Sequence, residues 1–425
     1  MADTVSDDTR LDEPDPTLRE CHDCGLFQRL PRLRPGLVAD CPRCGAVLRR
    51  RMRNSFGVTV ALMLTGIALF TIVLYAPLIG MDFYGRSSQT SLPALPLAFE
   101  RFGMWELSFV VLMVTIVAPL LKLVLTAGVM IGLQMRVEPW LLAAMARVRA
   151  WLGPWAMTEV FLLGLFVAYT RLTAYGRVDI GPALYAMAGL MLVMVAADAW
   201  LDEHAMWEAI GSRRTPPPPG RGEPIGCDTC GHVTCGEPGD LCYCCDSRLR
   251  FRKLDSIARC WALVIAAAAL YVPANILPVM TLIRAGQTTT STIIGGVKEL
   301  IAYKMWPLAL IVFVASIAVP MAKLMMLIYM LITTQRGSAH QLRHRTQIYR
   351  LVEVIGRWSM IDVFMISILT ALVQMGFLAT VIPENGAICF CGVVIMTMIA
   401  SASFDPRVMW DRAVETHPAL VEQFA

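Results

Sequence analysis

Charged residues are scarce in this chain. Asp, Glu, Lys and Arg together fill 16% of 425 positions, where a soluble globular protein carries about a quarter. That shortage excludes an ordinary water-facing surface. The two signs nearly cancel, to a net charge of +4, so the chain lacks the concentrated basic footprint of a nucleic-acid binder. The first twenty residues, MADTVSDDTRLDEPDPTLRE, contain no apolar core of a secretory signal, and the N-terminus is expected to stay in the cytosol. No phosphate-binding loop, no HExxH and no nucleophile elbow occur, so an enzyme is not expected. Histidine falls to 6 residues, none of them in an apolar run.

What the chain has instead is long hydrophobic runs. Eight stretches are long enough to cross a bilayer: 56–79, 104–133, 150–174 and 180–201, then 257–282, 305–333, 357–381 and 386–404. A Pro-rich linker, GSRRTPPPPGRGEP (211–224), separates the two sets and reads as a stiff spacer. Basic residues mark alternate loops: Arg49, Arg50, Arg51 and Arg53; Arg136, Arg147 and Arg149; Arg248, Arg250, Arg252 and Lys253; Arg336, Arg343, Arg345 and Arg350. By the positive-inside rule those loops, and both termini, are expected in the cytosol.

The two sets repeat one another at an offset of 201 to 203. Met104-Trp105 matches Met305-Trp306, and Pro119-Leu-Leu-Lys122 matches Pro320-Met-Ala-Lys323. Trp155-Ala-Met-Thr-Glu159 matches Trp358-Ser-Met-Ile-Asp362, and Met206-Trp207 matches Met409-Trp410. An even number of spans per repeat makes the halves parallel rather than inverted. The expected fold class is an all-α polytopic membrane protein of two tandem repeats, each of about four transmembrane helices preceded by a small cytoplasmic zinc ribbon. The boundaries are a disordered tail (1–20), ribbon 1 (21–50), transmembrane domain 1 (54–204), the linker, ribbon 2 (225–253), transmembrane domain 2 (256–406) and a cytoplasmic tail (407–425).

Cysteine pairs define the ribbons. Cys21-x-x-Cys24 and Cys41-x-x-Cys44 form the first set, and Cys227-x-x-Cys230 and Cys242-x-x-Cys245 the second. In a reducing compartment, two CxxC turns close one tetrahedral thiolate site for structural Zn2+. Redox thiols are the weaker reading, since one CxxC would do. Cys235 and Cys244 offer alternative ligands in the second set, although the repeat favours Cys242 and Cys245. Gly25, Gly45, Gly231 and Asp246 follow the second cysteine of each turn, where positive φ is often needed.

Charges inside the apolar runs are the candidate functional residues. Lys122 and Lys323 lie deep in the second and sixth runs, and a lysine at mid-membrane costs about 2.5–3.5 kcal/mol on insertion scales. Counting from the middle of each following loop places Lys122 level with Glu159 and Lys323 level with Asp362. The alternative is that both acids sit unpaired among the headgroups. The second half is more polar around its lysine: Ser316, Ser359 and Thr397 stand where the first half has Thr115, Ala156 and Met194. A hydroxyl alone reads as a local bond to its own helix, but the cluster points to a proton or polar-group site. The stretches 83–103 and 288–306 read as short amphipathic elements beyond the membrane. Pro273, Asn275 and Pro278 should break the fifth span near its outer end.

Four segments carry a family resemblance: Cys-Pro-Arg-Cys-Gly (41–45), Tyr-Val-Pro-Ala-Asn-Ile-Leu-Pro (271–278), Trp-Ser-Met-Ile-Asp-Val-Phe (358–364) and Phe-Asp-Pro-Arg (404–407). With the duplicated arrangement, the chain resembles the paraquat-inducible protein A family over nearly its whole length after residue 20. The resemblance implies a Gram-negative inner-membrane protein that works with phospholipids and a periplasmic mammalian-cell-entry (MCE) protein tunnel. Its implied role is moving lipid between membranes, driven by the proton gradient. It also implies a polar network of Ser316, Lys323, Ser359 and Thr397. One departure stands out. The family pattern has an acid shortly after a basic residue at the end of span three, whereas this chain reads Arg171-Leu-Thr-Ala174 with no acid before Asp179. Asp179 or Asp362 would then take its place. Two rival functions are a non-transporting anchor for the tunnel and a zinc-responsive membrane sensor.

Overall fold

The computed structural model describes residues 18–416 except 32, 53–54, 84–85, 174–176, 215–221, 285–286, 303, 305 and 375–378. The four prolines of the linker lie outside the described residues. Among the described residues, eight helices are long and apolar enough to cross a membrane: Ser55–Tyr75, Trp105–Gln134, Pro139–Leu172 and Pro182–Trp200, then Ser256–Ile276, Ala309–Gln335, Leu342–Leu372 and Asn385–Ser403. The chain is a multi-pass membrane protein. The first span shows why: it is apolar all round, yet only Ser55, Thr59, Met63, Gly66, Phe70 and Val73 are buried, a stripe at helical spacing that leaves the rest for lipid.

The ends of the spans differ from expectation in two ways. The third and seventh begin at Pro139 and Leu342, well before 150 and 357. The basic stretches taken as loops are helical: Leu142, Ala143, Ala146 and Arg149 form a buried stripe after a proline at the helix start. Short 3₁₀ turns, Gly153–Trp155 and Arg357–Met360, join these segments to the apolar helices. At the opposite face the runs stop early and become strands. Ile79–Phe83 pairs antiparallel with Arg86–Thr90 and with Arg177–Ile180; Met280–Arg284 pairs with Gln287–Ser291 and with Ala379–Pro383. The strands Met280–Arg284 and Ala379–Pro383 were hidden because their apolar residues extend the fifth and seventh runs, and Arg86–Thr90 and Gln287–Ser291 because they are polar and show no apolar alternation. The fifth helix continues through Pro273 and ends at Ile276, just before Leu277-Pro278. The stretches 83–103 and 288–306 each resolve into a strand and a short helix, Ala94–Arg101 and Ile293–Ala302.

Each half packs its first span on its fourth, and the seventh span touches the third, the second and the helix Ala94–Arg101 across the boundary between halves. Phe161 and Phe364, equivalent in the repeat, meet edge to face with centroids 5.4 Å apart. Contact between equivalent residues places an approximate twofold axis between the third and seventh spans, as parallel repeats require.

The cysteine-rich segments share one face of the molecule, and they cross over. Cys21, Cys24, Cys41 and Cys44 pack into a core with Cys260, Leu327, Leu331 and Trp410 of the second half. Cys227, Cys230, Cys242, Cys244 and Cys245 pack with Val129, Leu133, Leu142 and Trp207 of the first. Arg43 stacks on Trp410 at 4.5 Å, and Arg350 donates to Asp23 at 2.6 Å and to the Gly45 carbonyl at 3.1 Å. Where the ribbons meet, half-buried Glu20 accepts from Arg252 at 3.1 Å, from Arg407 at 3.3 Å and from the Gly226 amide at 3.0 Å. Burial pushes the Asp405 carboxyl up, but the Arg407 guanidinium clasping it outweighs burial and leaves it below the usual carboxylate range.

Candidate functional site: two thiolate clusters and a buried polar line

The four sulfurs of each ribbon converge. Cys21 Sγ lies 3.5 Å from Cys44 Sγ and Cys24 Sγ 3.6 Å from Cys41 Sγ; the matching separations in the second ribbon are 3.4 Å (Cys227–Cys245) and 3.6 Å (Cys230–Cys242). Disulfides would need about 2.05 Å, whereas bonds of 2.3 Å to a central tetrahedral ion put sulfurs about 3.8 Å apart. Both sets therefore fit a four-coordinate metal ion. The turn geometry explains the convergence. Gly25, Gly45, Gly231 and Asp246 all take positive φ, from 56° to 72°, and each donates its amide to the carbonyl of the first cysteine of its turn. Cys235 is outside both clusters. Cys244 joins a different group, with Cys230 and His232.

The intramembrane charges are arranged differently from the expected pairs. Lys122 Nζ donates to Asp198 at 2.6 Å, not to Glu159. Glu159 instead lines an apolar cavity of about 720 Å³ with Phe166, Tyr169, Tyr185 and Trp358. In the second half Lys323 and Asp362 do not meet. Lys323 Nζ is buried without a hydrogen-bond partner, and so are both Asp362 carboxylate oxygens and Ser359 Oγ. The error is one of register. Gly356, not Asp362, lies against Lys323 Nζ, and Asp362 shares a cavity of about 40 Å³ with Ser316 and Arg171. These neighbours put the middle of this hairpin near 339, three residues before the loop centre inferred from sequence. The basic segment from Leu342 is helix rather than loop, so the chain turns earlier than the sequence suggested, and the shift is already complete at Gly356.

Gly356, Ser359 and Asp362 are spaced three apart through that turn, so they climb one face. They span about 10 Å, from Lys323 to the small cavity. Ser316 sits in a π-helical turn, Val314–Ala318, where the Val319 amide reaches back to the Val314 carbonyl. Pro320 has no N–H to offer the Ser316 carbonyl, and the widened turn absorbs that defect. Ser316 Oγ donates to the Val312 carbonyl at 2.6 Å. Thr115, its first-half equivalent, does the same to Val111 at 2.7 Å. Thr397 is buried and donates to the Val394 carbonyl at 2.9 Å, so both hydroxyls are locally satisfied.

The halves differ in what answers the lysine. Asp198 of the first half corresponds to Ser401 of the second, so Lys122 has a partner and Lys323 has none. Asp198 was visible in the sequence as a lone acid within a run. Gly356 carried no signal, yet a side chain there would collide with Lys323 Nζ, whereas its counterpart Gly153 faces open space. Gly356→Ala is expected to cost about 1–3 kcal/mol by overpacking and to displace Lys323, while Gly153→Ala changes stability little. Thermal unfolding of the two variants in detergent would show the difference, and equal effects would remove the special role of Gly356.

A model of the family described as paraquat-inducible protein A matches residues 57–211 and 257–414, both halves of the repeat. The chain belongs to the paraquat-inducible protein A family. Intermembrane transport protein PqiA of Escherichia coli K12 is 33% identical, over 93% of this chain and 96% of that protein. Lipophilic envelope-spanning tunnel protein A, also of Escherichia coli K12, is 27% identical over 92% of this chain and 91% of its own length. A probable intermembrane transport protein of Haemophilus influenzae is 24% identical over 95% and 98%. No solved structure matches this chain. Within the family framework the departure at Arg171 acquires a location. Arg171 crosses from the first half into the cavity with Asp362, while Asp179 pairs into the sheet opposite Gly80 and is exposed. Asp362, not Asp179, is therefore the acid beside Arg171.

Proposed function

We propose that this protein is not an enzyme but a transporter in the inner membrane of a Gram-negative cell. It moves phospholipid between that membrane and a periplasmic MCE-protein tunnel, coupled to proton movement. One observation carries the reading: Lys323, Ser359 and Asp362 are buried in a membrane-spanning region with no hydrogen-bond partner. Unpaired ionisable groups in hydrocarbon are expensive and mark polar or proton pathways. A cavity of about 40 Å³ is large enough for water, and it begins at Asp362 under the strands Met280–Arg284 and Gln287–Ser291. Protonation of Asp362 would remove its charge from the cavity it shares with Arg171, which belongs to the other half, and so bias how the halves pack. The apolar cavity between the third and fourth spans, about 720 Å³, falls in the usual range for a ligand pocket and suits an acyl chain. In this reading the ribbon face is cytosolic, the sheet face is periplasmic, and each ribbon holds one structural Zn2+ ion. The relatives' names, intermembrane transport and envelope-spanning tunnel, agree with the same direction of argument.

The anchor reading explains the ribbons but not the unpaired charges. Affinity purification of the tagged chain from its own cells separates the two. Transport predicts an MCE-domain protein together with phospholipid in the eluate, with the lipid lost when Leu163 and Leu184 in the apolar cavity are changed to tryptophan. An eluate with the MCE protein and no lipid favours the anchor, and an eluate with neither defeats both.

A further inference from the structure

The second ribbon and the helix packed on it differ from their counterparts at three positions that converge in space. His232 stands where the repeat has Leu26, Cys244 where it has Arg43, and Gly211 where it has Val414. In the first ribbon Arg43 reaches out to stack on Trp410, so no ligand is present there. In the second, the ligand atoms of Cys230, His232 and Cys244 all lie within 4.8 Å of one another, and all three residues are buried. Gly211 keeps the place open: a Cβ there would meet Cys244 Sγ at 3.2 Å and His232 Nε2 at 3.9 Å. His232 is 6% exposed, and its Nδ1 is buried without a hydrogen-bond partner. The Tyr243 ring stands edge-on to the imidazole, with centroids 5.8 Å apart, and holds its orientation. An imidazole nitrogen left bare in a protein interior costs free energy. A packing role would be served as well by the leucine of the first ribbon.

We propose that the second ribbon binds a further thiophilic d¹⁰ cation, Zn2+ or Cu+, through His232 and Cys244, with the Cys230 thiolate bridging it to the ion of the four-cysteine site. Two thiolates and an imidazole are the donor set such cations prefer. With Zn2+, the formal charge of the buried cluster drops from two negative to one. The four-thiolate site contributes minus two, and the added cation with the Cys244 thiolate contributes plus one. With Cu+ the cluster charge stays unchanged, so Zn2+ is the favoured occupant.

The test counts metal in the full-length protein in detergent, loaded with Zn2+ alone or with Zn2+ followed by Cu+, then cleared with a weak chelator. The expected content is three ions per chain: three zinc in the first arm, and either three zinc or two zinc and one copper in the second. His232→Leu, which installs the first ribbon's residue, and Cys244→Ser should each lower the count to two. That remaining pair shows that both four-cysteine sites survive. Cobalt substitution gives an independent readout, because loss of His232 should remove the ligand-field bands of the third ion and leave two ions with four-thiolate spectra. A wild-type count of two in both arms overturns the proposal, as does a count of three that neither substitution lowers.

Discussion

Lys323→Met is expected to make the protein more stable and useless at the same time. The ammonium of Lys323 is buried with no partner, and insertion scales put a lysine at mid-membrane at about 2.5–3.5 kcal/mol. A thioether of similar length removes that cost and fills the same space beside Gly356. The net gain should be about 1–3 kcal/mol. Denaturant unfolding in detergent reads that gain. In an envelope-stress growth assay, a strain whose only copy is Lys323→Met should behave like the deletion strain. Lys122→Met is the control. It breaks an ion pair whose acid, Asp198, is 46% exposed and sits close to the end of its span at Trp200, where a carboxylate can reach the headgroup region. The stability change there should stay within about 1 kcal/mol, and growth should be retained. A Lys323→Met protein that is less stable yet fully active would make the lysine a structural residue and remove the physical basis of the transport reading.

The second large effect concerns the crossed ribbons. Replacing Cys24 and Cys44 by serine should cost one metal ion, and structural zinc in such small modules is worth about 10–16 kcal/mol. The strands of the first ribbon are three or four residues long, too short to hold together otherwise. The damage should appear in the far half of the chain. The helix Arg407–Thr416 and the base of the seventh span, Leu342–Gly356, should lose protection from amide exchange, because Trp410, Arg350 and Tyr349 lean on the first ribbon or share its core. The helix Glu203–Gly211 should lose less protection, because Arg19 and Arg49 of the first ribbon pair with its Glu208 while its buried face packs with the second ribbon. The mirror variant, Cys227→Ser with Cys242→Ser, should reverse the pattern. Loss of protection confined to the half that follows each ribbon in sequence would show that the ribbons do not cross in solution.

The two cases show where sequence reasoning carried and where it failed. Ribbon ligands are local. Two residues between cysteines and a residue tolerant of positive φ after them are enough to aim both sulfurs, so the four-cysteine sets could be read directly. The lysine partners are not local. A helical pattern gives the face of a residue but not its height, and a loop that proves helical moves every rung of the hairpin. The expected Lys323–Asp362 pair missed by about two turns for that reason, and Lys122 found Asp198 on a helix that the hairpin argument never considered.

Hydropathy and duplication by themselves determined the eight crossings, the parallel halves and the thiolate clusters, because each follows from spacing along the chain and from the cost of exposing backbone or charge to hydrocarbon. Only the tertiary structure decided three other matters: which ribbon serves which half, that the ends of the spans close into sheets, and that Arg171 of one half faces Asp362 of the other. Those depend on segments far apart in sequence meeting in space, where the contact itself, and not any local preference, supplies the free energy.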